Sequence, residues 1–271
     1  QEMIKISKQY KKAAVIGGGL LGLEAARGLL NLGMDVSVIH LAPYLMERQL
    51  DPTAGKLLQN ELEKQGMKFL LEKQTAEIVG DERVEGLSFK DGTFLEADLV
   101  VMAVGIKPNV QLAKEAGLNV NRGIVVNDYM QTDIPNIYAV GECAEHRGMV
   151  YGLVAPLYEQ GKALAKAICG AEKVPYEGSV LSTQLKVSGV EVFSAGDFTE
   201  DEEKKAIKVF DEQDGIYKKL VLRGNQIVGA VLFGDSSDGN RLFSMIQKQE
   251  DVSDVAKVSI LQPSGGNAGE S

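Results

Sequence analysis

The chain has 271 residues, of which 44% are hydrophobic and 25% charged, and this composition excludes a disordered or fibrous protein. Its 29 basic and 38 acidic residues give a formal net charge of −9, which argues against nucleic acid as the main partner because such a surface repels phosphate. No apolar run approaches the ~18 residues of a membrane span, and the first residues lack the apolar core of a signal peptide. Two cysteines, Cys143 and Cys169, cannot build a disulfide framework. We therefore expect a cytoplasmic protein with no membrane partner.

The first strong pattern in chain order lies between residues 13 and 41. A short apolar run at 13–16 predicts a buried strand, a glycine-rich turn follows at 17–22, and a helix is predicted from Leu23 to Leu32. A second strand is predicted at 36–39. Strand, turn, helix and strand form a βαβ unit of about 30 residues, which is the context in which a glycine-rich turn is informative.

The glycine-rich turn has the form GxGxxG. Gly17, Gly19 and Gly22 occupy the glycine positions, with Gly18, Leu20 and Leu21 between them. The first glycine permits the tight turn, the second lets the backbone approach a pyrophosphate, and the third allows close helix packing. Amide groups at the helix N-terminus would then hold the anion. The turn therefore predicts a dinucleotide site, the alternative being a purely structural turn.

The end of the second strand predicts which nucleotide binds. An Asp or Glu usually accepts the ribose hydroxyls there, but this chain has His40, which can still hydrogen-bond a ribose. Arg48 is the first cation after it, and Leu41 and Ala42 offer none for a 2′-phosphate. NADH is thus favoured over NADPH. The alternative for His40 is a strand-end side chain without a ligand.

Further elements are predicted from apolar periodicity and turn residues. In chain order they are a helix from Asp51-Pro52 to Gly66, strands at 67–71, 76–79, 84–89, 94–95 and 98–104, a helix within 151–170, strands at 185–187, 190–193, 207–210, 217–222 and 227–233, and a helix at 238–248. Asp51 is a plausible N-cap with proline in the first turn. The alternation of strands and helices predicts an α/β fold with a β-rich C-terminal part.

Four sequence segments together resemble one superfamily. They are GGGLLGLEAA at 17–26, the strand 99–104 with Gly105-x-x-Pro108-Asn109, TDIPNIYAVGE at 132–142, and the helix-like segment 151–170. In this order they resemble the FAD-dependent pyridine nucleotide-disulfide oxidoreductases. LMERQLD at 45–51 and VGECAEH at 140–146 most closely resemble the large subunit of assimilatory NAD(P)H-dependent nitrite reductases. The resemblance runs from about residue 10 to residue 260.

The resemblance implies roles for four further residues. Gly105 would lie near the nicotinamide, and Gly141 with Glu142 would form the second FAD motif. Glu142 replaces the usual Asp that binds the ribityl chain, so its acceptor is one methylene longer. Glu24, in a GxExA pattern, would contact cofactor or loop amides, or would simply be an acid favoured by the helix dipole.

The resemblance also implies a domain division. A Rossmann-like NAD(P)-binding domain is expected at 1–122, the second segment of an FAD domain at 123–174, a small α+β domain at 175–262 and a flexible linker at 263–271. Superfamily members open with their own FAD-binding GxGxxG, and no such motif stands before Gly17. We therefore expect this chain to be the middle of a longer protein and to bind FAD weakly or not at all by itself.

The expected function is electron entry from NAD(P)H to FAD in a nitrite reductase that forms ammonia. Iron–sulfur and sirohaem centres would belong to other parts, since two cysteines could ligate neither. Neither a catalytic side chain nor a metal site is predicted, because the cofactors carry the chemistry. The partners would be the remaining domains or subunits, and the C-terminal domain allows a homodimer. The alternatives are a rubredoxin, ferredoxin or NADH-oxidase type reductase, and a non-catalytic nucleotide-binding or assembly module.

Overall fold

The computed structural model describes residues 2–170 and 174–253. The helices in these residues are α1 (Glu2–Gln9), α2 (Leu20–Asn31), α3 (Pro52–Lys64), α4 (Gln111–Glu115), α5 (Val154–Ile168) and α6 (Gly239–Lys248). The strands are β1 (Lys12–Ile16), β2 (Asp35–Ile39), β3 (Lys68–Leu70), β4 (Thr75–Val79), β5 (Gly86–Phe89), β6 (Phe94–Glu96), β7 (Leu99–Met102), β8 (Ile124–Val126), β9 (Ala144–His146), β10 (Met149–Val150), β11 (Ser182–Val187), β12 (Val190–Gly196), β13 (Lys204–Asp211), β14 (Ile216–Arg223) and β15 (Gln226–Phe233).

The described residues form two compact units. The first contains residues 2–105 and 182–253, and the second contains residues 106–170 and 174–181. The domain boundaries at 122 and 174 stay predictions. The linker expected at 263–271 lies outside the described residues.

The first unit is built on a parallel sheet of order β3-β2-β1-β7. Register pairs such as Val15 with Val38 and with Val101 place β1 in the centre. Its middle residues, Ala13 to Val15, are almost fully buried, as expected for a strand covered on both faces. The predicted βαβ unit is therefore confirmed, with α2 beginning at Leu20, three residues before the predicted start.

Helix α3 has the predicted N-terminus. The Asp51 carboxylate accepts the Ala54 N–H at 3.0 Å, and Pro52 opens the helix, where a missing N–H costs nothing. A small antiparallel sheet of order β4-β5-β6 follows α3 and β3 in the chain.

The C-terminal part of the first unit is an antiparallel sheet of order β11-β12-β15-β14-β13. Helix α6 packs on it through Leu242 and Ile246, which share a buried cluster with Phe193. A larger cluster joins this sheet to the parallel one, since Phe233 is buried in the same core as Leu58 of α3. The predicted hairpin and C-terminal helix are confirmed.

The second unit contains α4, α5 and a small sheet of order β10-β9-β8. Its core gathers Met130, Ala144, Tyr151 and Tyr176. The helix expected within 151–170 is confirmed as α5. Helices α1 and α4 and strands β8 to β10 were not predicted, because α1 has eight residues and the others five or fewer, which is too short for a periodic pattern to stand out. No helix of the described residues is long and apolar enough to cross a bilayer.

Candidate dinucleotide site

The glycine-rich turn lies at the carboxyl end of the central strand β1. The sheet order changes direction at this strand, with β2 and β3 on one side and β7 on the other. In open α/β sheets such a point leaves a crevice in which ligands bind. Exposed apolar side chains follow two of the neighbouring strands, Leu41 after β2 and Val104 after β7. This edge of the sheet is therefore the candidate position for a ligand.

Two glycines of the turn are required by close packing. Gly17 has φ +119°, and a Cβ there would lie 2.2 Å from the Ala103 carbonyl oxygen. A Cβ on Gly22 would lie 1.9 Å from the carbonyl oxygen of Gly17. No side chain fits either position. The first turn of α2 therefore packs against the end of β1 as closely as a GxGxxG dinucleotide motif requires.

The middle glycine faces open space instead. Gly19 is the extended N-cap of α2, no side chain caps the helix, and a Cβ at Gly19 would meet nothing within 4 Å. The first backbone N–H groups of a helix have no intrahelical acceptor, and the space at the Gly19 Cβ position beside them is open. Leu20 packs on the core while Leu21 is 68% exposed. This cradle fits the pyrophosphate of a dinucleotide.

Three other predicted residues lie on the surface of the first unit. Glu24 on α2 and Arg48 after β2 are exposed. Gly105 has φ +95° and open space at its Cβ position. Their cofactor contacts stay predictions.

The structure gives His40 partners within the chain. The Gly18 N–H donates to Nδ1 of His40 at 3.1 Å, and Nε2 lies 3.0 Å from a carboxylate oxygen of Glu47. The residue is only 8% exposed. Its predicted ribose contact stays a prediction, but both ring nitrogens already have partners. Sequence reasoning missed Glu47, for which the only local signal was a carboxylate seven residues after His40.

The loop that carries Glu47 is well anchored. The Met46 N–H donates to the Gly18 carbonyl at 3.1 Å, and Leu45 and Met46 are fully buried. Burial, followed by the charges of Asp51 and Glu47, raises the pKa of the Tyr44 phenol. The loop thus holds a carboxylate beside the glycine turn.

The predicted flavin residues belong to the second unit. Gly141 has φ +105°, and its N–H donates to Oε1 of Gln160 at 3.1 Å. Gln160 is fully buried, and its Nε2 has no hydrogen-bond partner among the described residues. Glu142 is exposed next to this turn. Sequence reasoning missed Gln160, whose partner lies 19 residues away.

A partly buried polar cluster of Asp128, His146 and Arg147 also belongs to the second unit. Asp128 accepts hydrogen bonds from two Arg147 nitrogens at 2.9 and 2.7 Å, and His146 Nε2 lies 2.8 Å from it. The Arg147 guanidinium, assisted by His146, lowers the pKa of Asp128 to about 2. His146 is 1% exposed and contacts the Tyr176 ring at a centroid distance of 4.9 Å. Within residues 2–170 and 174–253, no three His, Cys, Asp or Glu side chains are grouped so as to hold a metal ion.

The chain is similar to known proteins over most of its length. Residues 1–168 match the family model described as pyridine nucleotide-disulphide oxidoreductase, and residues 182–250 match the rubredoxin NAD+ reductase C-terminal domain. The chain is 82% identical, over 99% of its length, to a nitrite reductase (NAD(P)H) of Bacillus subtilis. It spans only 33% of that relative.

Two solved structures are similar over nearly the whole chain. An FAD-dependent pyridine nucleotide-disulphide oxidoreductase from Desulfovibrio vulgaris has a TM-score of 0.77 and 26% identity, over 96% of this chain and 71% of its own. An NADH:rubredoxin oxidoreductase from Clostridium acetobutylicum has a TM-score of 0.73 and 30% identity, over 96% of this chain and 65% of its own. The predicted α/β fold class is confirmed.

Proposed function

Because the chain belongs to the pyridine nucleotide-disulphide oxidoreductase family, we propose that it is the NADH-binding, electron-entry part of a flavoprotein nitrite reductase. In the longer enzyme NADH bound here would supply a hydride to FAD, and nitrite would be reduced to ammonia elsewhere in the protein. The observation that carries the proposal is the open N-terminal turn of α2 at Gly19. The 82% identity to a nitrite reductase supports nitrite as the final acceptor.

The residues of the first unit bind and orient the dinucleotide. The first amide groups of α2 hold the pyrophosphate, and the helix dipole adds to their attraction. The exposed apolar side chains at the ends of β2 and β7 provide surfaces for the two rings. The reaction needs no side-chain acid or base, because the protein supplies position and exclusion of water.

In the second unit, Gly141 and Glu142 are the residues that would hold the flavin. The left-handed Gly141 has open space at its Cβ position, and the neighbouring Glu142 carboxylate is exposed and able to accept hydroxyl donors. These residues fit part of a flavin site. When bound, FAD supplies the acceptor for the hydride.

We assign the domains accordingly: NAD(P)H binding at 1–122, the second FAD segment at 123–174 and a small C-terminal domain at 175–262. The partners are the remaining parts of a cytoplasmic reductase that carry the iron–sulfur and sirohaem centres. A homodimer through the C-terminal domain belongs to the same proposal.

A second candidate is favoured by two observations. Residues 182–250 match the rubredoxin NAD+ reductase C-terminal domain, and a rubredoxin reductase is among the similar structures. In this alternative the electrons leave the flavin for a small redox protein. Disruption of the gene in its source organism separates the two, because only the first predicts loss of NADH-dependent nitrite reduction in extracts.

The direct test is an equilibrium titration of the 271-residue chain with NADH, in which the fluorescence of the dihydronicotinamide measures binding. We expect saturable binding that ADP-ribose displaces, since both ligands share the pyrophosphate. Absence of binding would overturn the proposal. Binding together with normal nitrite reduction after gene disruption would leave the dinucleotide site in place and favour the second candidate.

A further inference from the structure

The loop after β2 uses both backbone polar groups of Gly18. The Gly18 N–H donates to His40 Nδ1, and the Gly18 carbonyl accepts from the Met46 N–H, each at 3.1 Å. A Cβ on Gly18 would approach the His40 ring at 2.8 Å and Leu45 at 2.9 Å, so loop and turn are in direct contact. Whatever follows Met46 is therefore held beside the proposed pyrophosphate cradle.

The hydrogen bonds define the state of the His40 ring. Since Nδ1 accepts from an amide, it carries the lone pair, and the ring proton of the neutral imidazole is on Nε2. That N–H donates to Oε2 of Glu47 at 3.0 Å. Both nitrogens are committed and the His40 side chain is only 9% exposed, so the ring itself is poorly placed to bind a ribose.

Glu47 has the opposite properties. One of its oxygens is held by His40, and the side chain is 38% exposed, so the carboxylate still presents an accepting edge to solvent. It follows Met46 directly, and Met46 is left-handed at φ +55°, which turns the chain at this point. Glu47 thus combines a fixed orientation with accessibility.

We propose that Glu47, oriented by His40, accepts the hydroxyls of the adenosine ribose and thereby selects NADH over NADPH. This assignment rests on the proposed function. Dinucleotide folds commonly place such a carboxylate at the end of the second strand. Here that position holds a histidine, and the carboxylate is supplied seven residues later, with His40 as its positioning residue. A 2′-phosphate would meet the like charge of Glu47, whereas a 2′-hydroxyl would donate to it.

The test compares NADH and NADPH affinities of the 271-residue chain and its variants. Glu47→Gln keeps size and shape, and we expect NADH affinity to fall about tenfold while NADPH affinity is unchanged or improved. Glu77→Gln, an exposed carboxylate on β4, is the matched control and should leave both affinities unchanged. Melting temperatures check that each variant is folded.

Two His40 variants test the positioning role. His40→Asn can accept from the Gly18 N–H through Oδ1, but its shorter side chain has no donor at the position of Nε2, so we expect a smaller loss confined to NADH. The double variant His40→Glu with Glu47→Gln returns a carboxylate to the strand end and should recover NADH preference.

The outcomes separate this inference from the proposed function. A wild-type chain that binds neither dinucleotide would overturn the proposed function and this assignment with it. A wild-type chain that binds NADH, together with a Glu47→Gln variant of unchanged preference or of equal loss for both ligands, would overturn only the assignment of Glu47.

Discussion

The phenol of Tyr217 donates a hydrogen bond of 2.8 Å to Oδ2 of Asp51, which is 166 residues away in the chain. Lys219 lies 3.3 Å from the same oxygen and 3.1 Å from Glu200. Tyr217, Lys219 and Asp51 are each at most 5% exposed. Because Asp51 also caps α3, this network joins that helix to β14 in the first unit.

We expect Tyr217→Phe to lower the free energy of unfolding by about 1.5–3 kcal/mol, the range for a hydrogen bond to a charged group. Burial, together with the hydrogen bond to Asp51 and its charge, raises the pKa of Tyr217 above the ordinary tyrosine value of 10. The contribution of this phenol to stability is therefore fully present below pH 10 and is lost as the pH rises above it. Urea denaturation of wild type and variant between pH 7 and 11 measures both effects.

The control for this prediction is Tyr158→Phe, since that hydroxyl belongs to a side chain that is 70% exposed. Asp51→Asn keeps the helix cap, because Asn and Asp are comparable N-caps. A double-mutant cycle of Tyr217→Phe and Asp51→Asn should show coupling. Additive effects would contradict a direct interaction.

The sequence predicted what depends on neighbouring residues. The glycine spacing at 17–22 and the cap at Asp51-Pro52 act within a few residues, and the structure shows the local geometry expected at each. The partner of Asp51 could not be predicted, because Tyr217 is brought to it only by packing of the C-terminal sheet.

In the candidate site too, local features could be predicted from the sequence and long-range contacts could not. His40 could be singled out by its distance from Gly22, but its bond to Gly18 depends on how the loop after β2 folds back. Glu47 stands in a loop without periodicity, and its place seven residues after His40 did not show that the two side chains would meet. Contacts between residues that are far apart in the chain cannot be predicted from the local patterns of a single sequence.

A second prediction concerns acid stability through Asp128. Arg147 and then His146 lower its pKa from 3.8 to about 2, so its contribution is present above pH 3.8 and is lost as pH falls toward 2. The Asp128 side chain is 34% exposed, and solvent screening limits the contribution to about 1 kcal/mol. Asp128→Asn should therefore cost about that much at pH 7 and progressively less below pH 4.

Urea denaturation at pH 7, 5, 4 and 3 checks this prediction. Asp81→Asn, in an exposed loop, serves as the control for loss of one carboxylate. A wild-type advantage over Asp128→Asn that stays constant down to pH 3 would count against the ion pair.

A third prediction separates binding from folding at the glycine turn. Gly19→Asp has room for its side chain, since nothing lies within 4 Å of the Cβ position, so the fold should persist. Its carboxylate would face the pyrophosphate, and we expect NADH affinity to fall about a hundredfold. Gly19→Asn, of the same shape without the charge, should lose much less. If titration showed that Gly19→Asp binds NADH with wild-type affinity, the placement of the pyrophosphate at Gly19 would be contradicted.

Gly22→Ala, in contrast to Gly19→Asp, is expected to affect folding. Its methyl group would lie 1.9 Å from the Gly17 carbonyl oxygen, a distance that forces α2 away from β1. We expect a loss of about 1–3 kcal/mol in the free energy of unfolding, as for other overpacked sites. Unchanged urea denaturation would show that the turn relaxes freely.

The last prediction concerns Gln160, which fixes the Gly141 turn in the second unit. Gln160→Met is close to isosteric but removes the acceptor of the Gly141 N–H, leaving that amide without its 3.1 Å bond. Hydrogen–deuterium exchange of the segment around Gly141 should accelerate, and the free energy of unfolding should fall by about 1–3 kcal/mol. Gln160→Glu keeps the acceptor oxygen and should protect the Gly141 amide more than Met does. Equal exchange in wild type and Gln160→Met would contradict the role of Gln160, because the turn would then hold its left-handed conformation without that side chain.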